Sequence, residues 1–349
     1  MTPVSDEDEA IARLGFDEAV DVTDAPEACE PWRAEFDASA EWVRRDDVQV
    51  PRGEVLFRLC EAFGFPKLAV EQLVTMRDTW DDPRIRRLGA HVQWLMTNRY
   101  TPNGYWRLGW PAVFSRAPLF YAYAALGLAR RVAAEQAERG IDGRVTAATL
   151  WDIGQQVFLH HRVHGAAGMN KGWWLCHHLS HHLFRLGRLQ FQRARSPRAI
   201  GPIAPDEPFL DVHIPEDGML DPASCDASFA AALPFFARHF PQEQPLFHAC
   251  TSWLLDPLLG ELLPAGSNIV RFQQRFTLHE LREGPSGVFE FVFDRPDLDR
   301  APRPDLAGLP RDTRLRAAIL DHYARGGAIR MGVGTIPLRA LWERPPAAK

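Results

Sequence analysis

The spacing of hydrophobic residues changes along the chain and divides it into two parts. Within residues 31–140, apolar side chains recur at steps of three and four residues, as in Val55, Leu59 and Phe63. This spacing places them on one face of a helix, and glycine- and proline-rich breaks separate about five or six such segments. Residues 146–184 continue the helical pattern. The first part of the chain is therefore predicted to be helical.

After Gly187 the pattern changes to an alternation of apolar and polar residues. Segments 189–191 and 210–214 are predicted to be strands, segment 222–240 a helix and segment 246–254 a further strand. A second alternation, in residues 277–281 and 288–293, predicts a β-hairpin.

The predicted fold class is α+β. We expect an all-helical N-terminal domain, residues 31–165, and a C-terminal domain with a twisted mixed sheet, residues 166–340. A length of 349 residues suits two hydrophobic cores. Residues 1–30 contain ten acidic residues and one basic residue, which is typical of a solvated arm.

Composition excludes several classes of protein. Outside the acidic arm the charge is only mildly positive, so we expect no nucleic-acid partner. No segment reaches the ~18 apolar residues that a membrane-spanning helix needs. Five cysteines without CxxC spacing, and an acidic N-terminus in place of a secretion signal, favour a cytoplasmic location. Nothing in the sequence indicates an oligomeric state.

Histidine is concentrated in one segment, since seven of the thirteen histidines lie between His160 and His182. Pairs such as His160 and His164 have the four-residue spacing at which two helical side chains can bind one metal ion. A complete site needs three or four ligands, and Asp152 and Cys176 are the nearby candidates of other types. Partly exposed helix histidines explain the cluster without a metal. We expect no metal, and a metal-dependent enzyme stays as an alternative.

One segment predicts an anion site. The sequence has no GxSxG, HExxH, Walker or GxGxxG signature, so hydrolase, zincin and kinase functions lack support. Residues 210–232, LDVHIPEDGMLDPASCDASFAAA, predict a strand, a tight turn at Gly218 and a helix capped by Asp221 or Ser224. The unsatisfied N–H groups of such a helix start attract phosphate.

The order of these elements resembles a known family. The segments GWWLCHHL with FRLGRLQF, LDVHIPEDGMLDPASCDASFA, and TSWLLDPLLGELLPAGSNIVRFQQRF are similar to GNAT-like acyltransferases. In this family a helical N-acyltransferase domain precedes a GNAT-like C-terminal domain, and the resemblance covers roughly residues 30–335. It implies acyl transfer from acyl-CoA or a similar thioester as the co-substrate.

The resemblance also implies where CoA binds. The CoA pyrophosphate would bind at Gly218 and at the helix start formed by Asp221 and Ser224. The pantetheine arm would follow the backbone of Val212 and Ile214.

The same resemblance points to two further residues and to two differences from the usual GNAT pattern. GNAT enzymes carry an Asn and an aromatic residue near the thiol, which correspond here to Asn268 and Phe272. A tyrosine acid is common in that helix, and this chain has Phe272 instead. The usual Q/RxxGxG/A loop is reduced to residues 215–218, which are partly acidic. Both departures favour, as an alternative, a degenerate scaffold that binds an acyl thioester or a partner without catalysis.

Strand alternation suggests the residues that transfer protons. It groups Asp211 with His213 on one strand, and His248 with Cys250 and Ser252 on another. We expect His213 to act as the base and His248 or Ser252 to assist the leaving thiol. Each is also explained as a hydrogen-bonded strand residue without a catalytic role. Together with these residues, the resemblance implies a bacterial-type acyltransferase that acts on an amine or hydroxyl of a small-molecule acceptor.

Overall fold

The computed structural model describes residues 50–77, 81, 89–90, 92–94, 96–97, 119–169 and 171–338. The chain divides into two compact units at Leu183. The acidic arm predicted for residues 1–30 lies outside the described residues. Among the helices that are described, none is long and apolar enough to cross a bilayer.

The described part of the first unit contains helices joined by turns and, before Leu183, no strand, which confirms the predicted all-helical domain. The longest helix, α3, is apolar or aromatic on every side over residues 120–126 and is buried there, as expected for a central helix. The helices whose two ends lie within the described residues are α1 Gly53–Ala62, α2 Lys67–Arg77, α3 Phe120–Glu138, α4 Gly143–Leu150, α5 Asp152–His164 and α6 Leu175–Leu179.

The end of the first unit differs from the sequence interpretation, which placed the change of domain after residue 165. Gly165 adopts a left-handed conformation and ends α5, but helix α6 still follows within the same unit. The glycine-rich break after α5 therefore separates two helices. The first strand begins at Leu183.

The second unit contains a mixed six-stranded sheet, which confirms the predicted fold class. Its strand order is β1-β2-β3-β4-β6-β5. Strands β3 and β4 are parallel, and the pairs β2–β3, β4–β6 and β5–β6 are antiparallel. The strands are β1 Leu183–Leu186, β2 Leu189–Arg195, β3 Pro208–His213, β4 Phe247–Ser252, β5 Thr277–Arg282 and β6 Met331–Pro337.

The helices of the second unit lie in the chain segments that connect β3 to β4, β4 to β5 and β5 to β6. The longest, α7, connects β3 to β4, and its Phe229 packs against Phe191 of β2 with ring centroids 5.7 Å apart. The helices are α7 Pro222–His239, α8 Leu258–Leu262, α9 Asn268–Gln273, α10 Val288–Phe293 and α11 Arg314–Ala324.

The hairpin predicted through residues 288–293 is wrong, because that segment is helix α10. Val288, Phe289 and Val292 are buried at a helical spacing. The carboxylate of Asp299 accepts hydrogen bonds from the N–H groups of Phe289 and Glu290, at 3.1 and 2.7 Å. Asp299, which lies outside the helix in sequence, thus caps the start of α10. The pattern of apolar residues within 288–293 gives no sign of this cap.

Candidate active site

The two parallel strands in the middle of the sheet separate before they end. Strands β3 and β4 are paired at two successive positions, the last of which joins Asp211 to Ala249. Each strand stays paired with its other neighbour beyond that point, β3 as far as His213 and β4 as far as Ser252. A gap therefore opens between the carboxyl ends of β3 and β4. Backbone groups along such a gap suit an extended ligand that binds like an added strand.

The register places the candidate histidines on opposite faces of the sheet. Residues paired across neighbouring strands share a face. Asp211 pairs with Gln192, and His213 follows Asp211 by two residues, so these three side chains share one face, here named the polar face. His248 lies on the other face, named the helix face, where Phe229 of α7 packs on it with ring centroids 5.2 Å apart. The structure does not bring His213 and His248 together.

His213 lies at the rim of the gap within a polar cluster. Its Nε2 is 2.8 Å from Oε1 of Gln192 and 3.7 Å from Oδ2 of Asp211. An amide oxygen only accepts hydrogen bonds, so the neutral ring carries its proton on Nε2 and its lone pair on Nδ1. The side chain is 26% exposed, which lets a substrate reach the ring.

The carboxyl group of Asp211 adds a second titrating group at this rim. Burial raises the pKa of Asp211 to about 7, and a hydrogen bond from the Val212 N–H acts in the opposite direction. The group is therefore partly protonated near neutral pH. A carboxyl whose pKa lies close to the working pH is typical of acid–base sites.

His248 is enclosed among aromatic rings. It is fully buried, and its ring centroid lies 5.3 Å from that of Phe191. Neither ring nitrogen has a hydrogen-bond partner among the described residues. Burial lowers the pKa of the imidazole to about 3, so the ring is neutral at physiological pH. A buried neutral imidazole on the helix face does not protonate a thiolate, which argues against the predicted role of His248.

Ser252 has a structural partner, and its neighbour Thr251 is better placed. The Ser252 hydroxyl accepts a hydrogen bond from the Leu254 N–H at 3.1 Å and caps the short turn Trp253–Leu255. Thr251 is exposed and lies on the polar face. If the register of β3 and β4 continued beyond the gap, Thr251 would pair with His213. Sequence reasoning missed Thr251, because the parallel register that identifies it is not visible in the alternation of one strand.

The loop between β3 and α7 is held by an arginine of the β1–β2 turn. Arg188 donates hydrogen bonds to the carbonyl oxygens of Gly218, at 3.0 Å, and Met219, at 2.8 Å. Across a trans peptide the C=O and the following N–H point in opposite directions. The N–H groups of Met219 and Leu220 therefore point away from Arg188. Gly218 has a φ of +92°, which favours glycine at this position.

The start of α7 is already occupied by a carboxylate. Asp221 accepts hydrogen bonds from the N–H and the hydroxyl of Ser224, both at 2.8 Å. These bonds hold the pKa of Asp221 below its usual range, and the ionised group would repel a phosphate. Gly218 lies before α7, and Ser224 lies in its first turn. The Ser224 N–H, which was predicted to bind the pyrophosphate, donates its hydrogen bond to Asp221 instead.

An open cavity lies beside the first turns of α7. Its volume is about 460 Å³, and Arg188 lines it together with the small residues Ser224, Ala227 and Ser228. The Nη1 atom of Arg188 has no hydrogen-bond partner among the described residues. That atom is buried and the other two guanidinium nitrogens bind the loop carbonyls, so Arg188 supports the loop rather than projecting into the cavity.

The other predicted ligand-binding residues occupy different environments. Val212 is buried near the end of β3, and Ile214 follows the strand and is half-buried. Asn268 is the first residue of α9 and is half-buried. Phe272 is fully buried against Phe276, with ring centroids 5.2 Å apart, and has no hydroxyl to donate. Phe272 is therefore packed in the core, which argues against its predicted place beside the thiol of CoA.

The histidine-rich segment forms separate pairs. In the described parts of the chain, no three His, Cys, Asp or Glu side chains are grouped as metal ligands. The Nε2 atom of His181 lies 2.8 Å from Oε2 of Glu135, and that of buried His178 lies 3.5 Å from Oδ2 of Asp152. The predicted alternative of a metal-dependent enzyme gains no support from this geometry.

Comparisons with known proteins agree with the division into two units. Family models described as an N-acyltransferase N-terminal domain and a GNAT-like C-terminal domain match residues 54–181 and 183–336. A solved acyltransferase in complex with decanoyl-CoA and teicoplanin is 31% identical, with a TM-score of 0.75, and the match covers 96% of this chain and 100% of that chain. The chain belongs to this family of two-domain acyltransferases.

Other solved acyltransferases are similar over nearly the whole chain. One, in complex with CoA and 10C-teicoplanin, is 30% identical with a TM-score of 0.75, and the match covers 96% of this chain and 100% of that one. Another, in complex with decanoyl-CoA, is 27% identical with a TM-score of 0.77, and the match covers 95% and 99%. Among curated proteins no match was found.

The family models show in which of the two domains each candidate feature lies. The gap, His213 and the loop before α7 all lie in the GNAT-like domain, residues 183–336. The histidine-rich segment lies mainly in the N-acyltransferase domain.

Proposed function

We propose that this acyltransferase moves an acyl group from acyl-CoA to an amine or hydroxyl of a small-molecule acceptor. The observation that carries the proposal is the gap between β3 and β4, with His213 at its rim. Similar solved acyltransferases are in complex with decanoyl-CoA or octanoyl-CoA, which supports a medium-chain acyl-CoA as donor. One of them is also in complex with teicoplanin, which supports a polar acceptor with several rings.

The donor would bind with its pantetheine arm in the gap. Val212 and Ile214 offer backbone groups along one side of the gap, and Asn268 lies at the start of α9. The N–H groups of Met219 and Leu220 are better placed to receive the pyrophosphate than the start of α7, because Asp221 already occupies that start. Arg188 holds the loop from its opposite side.

The proton follows a short path in the proposed reaction. The acceptor nitrogen or oxygen attacks the thioester carbonyl carbon, and its proton passes to Nδ1 of His213. Gln192 fixes the ring through Nε2, and Asp211 lies close enough to stabilise the imidazolium. The C–S bond then breaks, the hydroxyl of Thr251 hydrogen-bonds the departing sulfur, and the sulfur takes the proton held by His213. CoA leaves as the thiol.

The first test concerns the donor. Thermal unfolding with decanoyl-CoA at a hundred times its dissociation constant should show about 2.7 kcal/mol of added stability. The substitution Gly218→Trp should abolish this gain, because the bulky side chain at the exposed turn blocks the N–H groups that receive the pyrophosphate. Gly308→Trp is the matched control, since Gly308 also has a positive φ and open space around it. Equal stabilisation of the Gly218 variant would contradict the proposed donor site.

The second test concerns the hydroxyl at the gap. Thr251→Val should lower kcat about tenfold, as expected for the loss of one hydrogen bond in the transition state, and leave donor binding unchanged. Ser252→Ala is the control and should keep kcat, since Ser252 serves the adjacent turn. A larger loss of kcat in the Ser252 variant than in the Thr251 variant would support the predicted role of Ser252 in assisting the leaving thiol. A wild-type protein that binds decanoyl-CoA without transferring the acyl group would favour the alternative of a binding scaffold.

A cytoplasmic location remains a prediction. The described cysteines Cys60, Cys176, Cys225 and Cys250 are unpaired thiols, which supports a reducing compartment.

A further inference from the structure

The edge strand β5 carries one residue more than its partner β6. Leu278 pairs with Gly334 and Glu280 pairs with Val333, so His279 is an extra residue in a β-bulge. A bulge bends the strand and re-aims a side chain, and bulges are frequent next to active sites. No role was predicted for His279 from the sequence.

The bulge directs His279 to the polar face of the sheet. Its Nε2 lies 2.8 Å from Oγ1 of Thr335, which is 2% exposed. Thr335 pairs with Ala249, and Ala249 pairs with Asp211. Paired residues share a face, so His279 and His213 lie on the same side of the sheet.

The imidazole of His279 is held in place and remains accessible. A Cβ atom on Gly201 would lie 2.4 Å from its Nε2, so the backbone of the loop before β3 contacts the ring. The residue is exposed, and its Nδ1 has no hydrogen-bond partner within the described residues. A ring fixed at one nitrogen and exposed at the other suits recognition of a polar ligand group.

The distance between the two histidines sets the size of the ligand. Strands β3 and β6 are separated by β4, and two strand spacings amount to about 10 Å. The row of Thr335 meets β3 at Asp211, and His213 lies two residues, or about 7 Å, further along β3, so the diagonal distance is about 12 Å. The side chain of His279 reaches Thr335 on β6. An acceptor whose nucleophile lies at His213 would therefore meet His279 only if it carried a second polar group about 12 Å away. A single sugar ring is shorter than this span.

We propose that His279 binds a second polar group of an extended, multi-ring acceptor and so selects acceptors by length. This inference rests on the proposed function, because His213 defines where the nucleophile lies. Thr335 is a positioning residue, since its hydroxyl orients the imidazole without reaching the ligand.

The test compares a long acceptor with a short one. Teicoplanin binding to the CoA-loaded protein is measured by calorimetry, and steady-state kinetics use decanoyl-CoA with teicoplanin or glucosamine. His279→Ala should weaken teicoplanin binding roughly three- to tenfold, the effect of losing one hydrogen bond. It should raise KM for teicoplanin in the same ratio and leave kcat, glucosamine kinetics and decanoyl-CoA binding unchanged.

Two further variants separate positioning from general damage to the fold. Thr335→Val keeps the imidazole but removes its anchor, so it should give a smaller loss of teicoplanin affinity. His239→Ala, at the end of α7, removes a histidine away from the polar face and should have no effect on affinity.

The outcomes distinguish this inference from the proposed function. The binding experiment needs no turnover, so weaker teicoplanin binding by the His279 variant supports the inference even in a protein that transfers no acyl group. Equal binding by wild type and the His279 variant overturns it. A wild type that does not bind teicoplanin, or an equal loss with glucosamine, also overturns it.

Discussion

His213 and His248 differ in chemistry because they occupy different faces of one sheet. His213 lies in a polar cluster where Gln192 fixes one nitrogen and the other retains its lone pair. His248 lies between Phe191 and Phe229, where a charged ring is strongly disfavoured. The side chain alone therefore does not identify a catalytic base; its hydrogen-bond partners and its exposure do.

The burial of His248 predicts a stabilising substitution. A buried polar group without a partner costs about 1–3 kcal/mol, and the imidazole of His248 is such a group, because neither ring nitrogen has a partner among the described residues. His248→Leu should therefore raise the free energy of unfolding by about 1–3 kcal/mol in a denaturant titration. It should also retain acyl transfer. A destabilised or inactive variant would show that the imidazole has a partner or a role that the structure does not reveal.

Asp211 predicts a dependence of stability on pH. Its pKa is about 7 in the folded protein and 3.8 is its ordinary value, so the folded state binds more protons between these two pH values. Its contribution to stability is therefore greatest below about pH 4 and declines as pH rises to about 7. Asp211→Asn removes this decline.

The measurement is the difference in Tm between the Asp211→Asn variant and wild type. This difference should grow in favour of the variant as the pH rises from 5 to 8. A difference that stays constant over this range would mean that the pKa of Asp211 is not raised in the folded state.

Strand alternation correctly predicted that Asp211 shares a face with His213, and that His248 belongs with Cys250 and Ser252. It did not predict that the set with His213 lies on the polar face and the set with His248 on the helix face. A shift of one residue between β3 and β4 would exchange the faces, and the shift depends on pairing between segments that are distant in sequence. That is why the sequence suggested His248 as a partner of His213 and overlooked Thr251.

At the scale of elements, a buried carboxylate supports the end of β4. Asp256 is fully buried and accepts hydrogen bonds from the N–H groups of Arg330, at 2.8 Å, and Leu258, at 3.1 Å. The amide of Gln273 donates to the carbonyl oxygens of Leu254 and Asp256, at 2.7 and 2.8 Å. These bonds tie the turn after β4 to α9 and to the start of β6, and so hold one side of the gap.

Loss of this carboxylate should destabilise the protein. Asp256→Ala leaves the Arg330 and Leu258 donors without their partner, and we expect a loss of about 2–3 kcal/mol in the free energy of unfolding. The value lies below that for a fully buried pair because the Arg330 side chain is 34% exposed. Asp312→Ala is the control, since its pair with Arg316 lies at the surface, and it should leave stability unchanged. Equal effects of the two substitutions would contradict the supporting role of Asp256.

Elements with a strong local signal were predictable from the sequence, and those set by distant contacts were not. The helix at residues 222–240 agrees with α7, because Asp221 caps it and its apolar residues recur at helical spacing. Strand β1 was interpreted as helix, since its four residues follow a helical segment directly and are too short to show alternation. Helix α10 depends on its cap at Asp299, which lies beyond the segment itself.

At the scale of the whole molecule, the change of hydrophobic period predicted both the two-domain organisation and the fold class. The family models match the two parts in the same order. The identity of the acceptor was not predictable, because in our proposal it depends on the distance between polar groups on one face of the sheet, such as His213 and His279. That distance arises from strand order, which no local pattern encodes.

In the proposed reaction, His213 at the gap of the GNAT-like domain is the base for acyl transfer from acyl-CoA. The most direct measurement follows decanoyl-CoA and teicoplanin by mass spectrometry, with release of the CoA thiol counted in parallel. Wild type should give one acylated product for each CoA released, and His213→Ala should lower the rate ~10²-fold or more with unchanged decanoyl-CoA binding. Full activity in the His213 variant, or no acyl transfer by wild type to any amine or hydroxyl acceptor tested, would contradict the claim.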